Sequence, residues 1–97
     1  MIRHCVMFRW NEGVSEEHVA AAAVALEALK STIPVIRSSV HGPDLGAVAG
    51  NYSYGASMQF DSVDDFLAYR EHPDHVAFVA TYLTGFVAER AGIQFAE

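Results

Sequence analysis

The chain has 97 residues, enough for one hydrophobic core and too few for two. It is 52% hydrophobic and 11% aromatic, which excludes disorder, and 6 Lys+Arg against 12 Asp+Glu give a net charge of −6. That balance excludes the basic footprint that nucleic acid or an anionic membrane surface requires.

Cys5 is the single cysteine, so no internal disulfide framework exists and a reducing compartment is expected. The opening MIRHCVMFRW brings Arg and His in early and lacks a long apolar run, so it is not read as a signal peptide. No stretch reaches the about 18 apolar residues of a membrane span. A cytoplasmic, single-domain protein over residues 1–97 is the expectation.

Residues 2–10 alternate, with Ile2, His4, Val6, Phe8 and Trp10 on one face and Arg3, Cys5, Met7 and Arg9 on the other. Period-two spacing of β-branched and aromatic residues predicts a strand. Asn11-Glu12-Gly13 turns the chain, and Ser15 is placed to cap a helix whose first turn carries Glu16 and Glu17. Val19, Ala22, Ala23, Leu26 and Leu29 form its apolar stripe, and Pro34 ends it.

A second strand is predicted from Val35 to Gly42, followed by the turn-rich Pro43-Asp44-Leu45-Gly46. Tyr52 to Phe60 alternates again, predicting a third strand. Asp61 or Ser62 caps a short helix containing Val63, Phe66, Leu67 and Tyr69, which His72-Pro73 breaks. Pro73 suits the first turn of a further helix with the stripe Val76, Val79, Leu83 and Phe86. A last strand covers Ala91 to Phe95.

The order β-α-β-β-α-α-β predicts an α+β, ferredoxin-like fold with a four-stranded antiparallel sheet. Ile2, Val6, Phe8, Trp10, Tyr54, Met58, Phe60, Ile93 and Phe95 are expected to meet the helices. The opposite set (Arg3, Cys5, Met7, Arg9, Arg37, Ser39, His41, Ser53, Gly55, Ser57, Gln59) is small and mixed. A solvent-facing sheet is one reading of it, and a second copy of the chain packed sheet to sheet is the other.

The densest chemistry lies in Tyr69-Arg70-Glu71-His72-Pro73-Asp74-His75, at a helix-break-helix corner. A helix N-terminus disfavours imidazolium, so His75 is placed to act as a base near neutral pH. Tyr69 is placed to hold or protonate a substrate oxygen. The plainer reading makes His72 an N-cap and Asp74 a first-turn carboxylate. His4 is the polar exception on an apolar strand face and needs a buried partner, with Tyr54, Tyr69 and His75 as candidates. His72 and His75 with a third ligand such as Asp74 or His4 would be required for a metal, and residues flanking a proline rarely converge on one ion. No metal is therefore expected, and with no P-loop, dinucleotide fingerprint or G-x-S-x-G elbow in the chain no cofactor is expected either. His18 and His41 read as solvated, and Cys5 as covered and unreactive.

At this point the chain resembles the stress-responsive dimeric A/B barrel (Dabb) family over nearly its full length. The matching features are IRHCVMFRW followed by a helix opening VSEE, the IPVIRSSVHGPD segment, and YREHPDH before a helix. The resemblance implies a homodimer whose two sheets close into one barrel. It also implies kinship with small monooxygenases and lactone isomerases that work without a bound cofactor. In a plant polyketide cyclase of the family, the catalytic tyrosine and histidine match Tyr69 and His75, and a pocket histidine matches His4. A further pocket histidine is replaced here by Tyr54.

Two functions follow as expectations. The first is a cofactor-independent acid-base enzyme, acting on a small apolar carbonyl compound by polyketide cyclase-like aldol closure or by isomerisation. There His75 and Tyr69 are catalytic, while His4, Tyr54, His72, Phe78, Tyr82 and Phe86 bind substrate. The second is a non-catalytic stress-response dimer or ligand-binding protein, with a cofactor-free monooxygenase as a further variant.

Overall fold

The structure is a computed structural model that describes residues 1–97. Its elements run β1 (Ile2–Trp10), α1 (Glu16–Thr32), β2 (Ser38–Pro43), β3 (Tyr54–Phe60), α2 (Val63–Glu71), α3 (Pro73–Phe78), a π-helical turn (Val79–Leu83) and β4 (Val87–Ala96). The four strands form one antiparallel sheet in the order β2-β3-β1-β4. This is the predicted ferredoxin-like α+β arrangement. No helix is long and apolar enough to cross a membrane.

Local chemistry sets the helix boundaries. The Ser15 side chain accepts from the His18 amide, and Ser62 accepts from the Asp65 amide, so both helices begin on a satisfied hydroxyl cap. α1 runs until Pro34 forbids continuation, and Ile33 at its C-cap is 1% exposed. His72 closes α2 and caps α3, its Nδ1 accepting from the Asp74 amide, with Pro73 in the first turn. The cap expected on plain helix chemistry is therefore the one His72 makes.

The core lies between the helices and one face of the sheet. β3 alternates without exception, burying Tyr54, Ala56, Met58 and Phe60, and α1 contributes Ala22, Leu26 and Leu29. Phe8, Tyr69 and Phe78 complete it. Beyond Phe78 the helix loosens into one π-turn, with the Thr84 amide donating to the Val79 carbonyl. The predicted stripe is corrected in α3, ahead of that turn. Val76 is exposed and Phe78 is the buried residue, while Val79 and Leu83 still pack against the core. Gly85, at φ +84°, then reverses the chain into β4 in a conformation that side-chain-bearing residues rarely adopt.

Two strand faces also depart from the sequence reading. In β4, Ile93 pairs with Cys5 and Phe95 with Arg3, so both point away from the helices and are exposed. The inward set is Arg90, Gly92, Gln94 and Ala96, opposite Phe8, Val6, His4 and Ile2. In β2, Ser39 pairs with Met58 and His41 with Ala56, which turns these two residues inward and leaves Val40 outward. A one-residue difference in register exchanges the faces of a whole strand. Arg37 precedes β2 and pairs with Asp61 at 3.1 Å.

Candidate functional site

Beneath the helices, between β1, β4 and the α2-α3 corner, lies a cavity of about 320 Å³. His4, Tyr69, His75 and Phe78 line it, together with Arg70, Arg90 and Gln94, which the sequence reading did not select. Phe66 and Met58 supply apolar wall. The strands place His4 and Gln94 side by side, and the proline break swings His75 back over Tyr69, with ring centroids 4.4 Å apart.

The His75 Nδ1–H donates to the Arg70 carbonyl at 3.0 Å. That bond fixes the tautomer and leaves Nε2 with its lone pair. Burial lowers the His75 pKa, and the positive charges of Arg90 and Arg70 act in the same direction against the Arg70 carbonyl bond, which raises it. His75 is therefore neutral at pH 7 and has the form a general base needs.

His4 has the complementary arrangement. The Gln94 amide donates to His4 Nδ1 at 3.0 Å, so the ring carries its proton on Nε2. Its ring lies 4.8 Å from Phe66 and 6.2 Å from Tyr69. Burial, followed by the charges of His75 and Arg90, pushes the His4 pKa down to about 4. Burial pushes the Tyr69 hydroxyl up to about 12, so it stays protonated and can donate to an oxyanion. The cavity thus brings a neutral imidazole, a protonated phenol and a second neutral imidazole together, with apolar wall on one side and Arg70, Arg90 and Gln94 also lining it.

The remaining candidates lie elsewhere. Tyr54 is buried against Phe8, with its hydroxyl donating to His41 Nδ1 at 2.7 Å. The other His41 nitrogen donates to Glu27 at 2.9 Å, so His41 is tied between β3 and α1 and is not merely solvated. His72 is occupied as a helix cap. Tyr82 and Phe86 enclose His18, which stacks on Phe86 at 3.8 Å and donates to the Tyr82 carbonyl at 2.9 Å. His18 is thus a packed residue, correcting the expectation that water surrounds it. Tyr54, His72, Tyr82 and Phe86 do not line the cavity. No three His, Cys, Asp or Glu side chains converge as a metal centre would require.

A wider concavity of about 650 Å³ occupies the opposite face of the sheet, lined mostly by small and apolar residues such as Cys5, Met7, Val40, Ser57 and Ile93. His41 also lines it, and the Tyr69–His75 pair lies on the other side of the sheet.

The fold and site define a ferredoxin-like α+β protein with a polar spot set in an apolar pocket between sheet and helices. A family model described as the stress responsive A/B barrel domain matches residues 2–96, and the chain belongs to that family. An uncharacterised protein of Streptomyces coelicolor is 33% identical over 84 residues, covering 84% of this chain and 87% of that one. A dimeric ferredoxin-like protein of unknown function from Thermobifida fusca is 40% identical with a TM-score of 0.91, covering 99% of this chain and 90% of that chain. A hydroxynitrile lyase from Passiflora edulis shares the fold at 20% identity and a TM-score of 0.85, covering 97% of this chain and 90% of that chain.

Proposed function

We propose that the protein is a homodimer that performs cofactor-independent acid-base chemistry on a small apolar carbonyl compound. The observation that carries the chemistry is the neutral His75, pinned through Nδ1 to Arg70 and set against Tyr69 in the cavity. His75 Nε2 takes a proton from the carbon next to the carbonyl, and the C–H electron pair moves into the enolate. Tyr69 donates a hydrogen bond to the enolate oxygen, and the His4 Nε2–H is the second donor. The proton then returns to carbon for isomerisation, or the enolate attacks a second carbonyl for aldol closure.

Dimerisation is supported by the open sheet face, which exposes Met7, Val40, Ile93 and Phe95. Apolar residues gathered on one face of so small a domain mark an association surface. The Thermobifida fusca relative, described as dimeric, agrees with this reading. The His72 cap and the His75–Arg70 bond also favour a second reading, in which the corner is a structural lock and the dimer is non-catalytic.

The test is deuterium exchange of the α-protons of simple ketones, followed by NMR with the wild type, His75→Ala and Tyr69→Phe. Loss of exchange in folded His75→Ala, with a fall of about a hundredfold in Tyr69→Phe, supports catalysis. Unchanged exchange in His75→Ala removes His75 from the mechanism. Absence of exchange in the wild type, with His75→Ala less stable by about 1–3 kcal/mol, favours the structural lock.

A further inference from the structure

The chain has six Lys and Arg residues, and four of them are neutralised. Arg3 pairs with Glu97, Arg9 with Glu89, Lys30 with Glu27 and Arg37 with Asp61, all at 3.1–3.2 Å. The two left without a carboxylate partner are Arg70 and Arg90, and both line the cavity that holds His75 and His4. In a protein with twice as many acidic as basic groups, this distribution singles out one place. None of the twelve carboxylates lines that cavity.

Arg70 lies in the last turn of α2 and Arg90 faces the helices from β4, opposite Phe8, so the two guanidiniums reach the cavity from different elements. Both residues are exposed, which puts them at the cavity's rim while Phe66, Met58 and Phe78 form its depth. The Arg90 charge is close enough to weigh on both imidazoles. Burial keeps those imidazoles neutral near pH 7, so the guanidiniums are the cations available at this site. A planar guanidinium offers paired N–H donors matched to the oxygens of a carboxylate or phosphate.

The geometry points to Arg70 and Arg90 as a receptor for the anionic head group, carboxylate or phosphate, of a ligand whose apolar body fills the cavity beside His75. The inference deepens the acid-base reading by naming the substrate class as an anionic, apolar carbonyl compound. It also fixes polarity, with the charged end at the rim and the reacting carbon towards Tyr69. The charge would bind without taking part in the proton transfer, so these are specificity residues and not catalytic ones.

The experiment titrates the intact protein at neutral pH with octanoate, octyl phosphate and neutral octanamide, by calorimetry. At least one anion should bind at least about tenfold more tightly than the amide. The Arg90→Gln and Arg70→Gln variants, and the pair combined, should lose that advantage while octanamide binding stays unchanged. The stronger of the two anions identifies the head group. Equal binding of amide and anions, binding untouched by the combined variant, or no binding of either anion at millimolar concentration would overturn the proposal. His75→Ala should keep the preference for the anion, because its neutral ring does not hold the charge. Anion binding without ketone exchange would overturn only the catalytic reading, and exchange without anion preference would overturn only this one.

Discussion

Replacing His4 by Gln should make the protein markedly less sensitive to mild acid. His4 sits under the helices beside Phe66 with a folded-state pKa of about 4 against 6.5 for a free imidazole, chiefly because burial disfavours its charged form. As pH falls, the unfolded chain takes up this proton before the folded one. The stability due to the neutral ring is therefore complete above about pH 6.5 and is lost progressively down to about pH 4. At about 1.4 kcal/mol per tenfold change, the full difference is about 3 kcal/mol, and the ring's partial exposure reduces it to about 2 kcal/mol. Gln keeps a hydrogen-bonding group beside Gln94 but does not titrate. His75, Glu27 and Glu97 also carry lowered pKa values, but they act equally in both proteins. The assay is urea unfolding of both proteins at equal concentration at about pH 7.5 and about pH 5, where the wild type should lose about 1–2 kcal/mol more than the variant. Equal losses would refute the placement of a neutral, buried imidazole at this position, and so would an NMR titration that gives His4 an ordinary pKa.

Two further outcomes follow from the packing. Ser39 is 4% exposed and its hydroxyl is a buried polar atom without a hydrogen-bond partner, so Ser39→Ala should raise stability by about 1 kcal/mol, read as a higher melting temperature. Met7→Asp puts a charge on the outward sheet face without touching the core, and should shift the protein from dimer to monomer in analytical ultracentrifugation.

The inward turn of Ser39 and His41 has a consequence for the site. It couples β2 to α1 through Glu27 and ties Tyr54 to His41, so a second aromatic-imidazole pair forms away from the cavity. Tyr54 shares the inward strand face with Met58, which lines the cavity, yet its ring is occupied by Phe8 and its hydroxyl by His41. Sharing a face is thus a weaker condition than sharing a cavity.

The sequence alone determined the elements whose signals are local. β1 and β3 alternate strongly, so their faces could be read directly. Ser15, Ser62 and His72-Pro73 fix helix ends by short-range hydrogen bonding and sterics. Tyr69 and His75 stood out as candidates at the His-Pro corner and through the family resemblance, while their ring contact at 4.4 Å is a product of the fold. What the tertiary structure alone decided were the parities of β2 and β4. In SSVHGP small and polar residues fall on both faces, and in VAERAGIQFA apolar residues do, so local pattern does not choose between registers. Pairing with β1 and β3 chose instead, sending Ile93 and Phe95 outward and Arg90 and Gln94 inward. Packing of α3 against the core likewise buried Phe78 and left Val76 exposed, a choice that apolar spacing does not announce. Charge pairing is equally nonlocal, since Arg3 meets Glu97 and Arg9 meets Glu89 only across the folded sheet. Arg70 and Arg90 emerge as the two unpaired cations only after those pairs have formed.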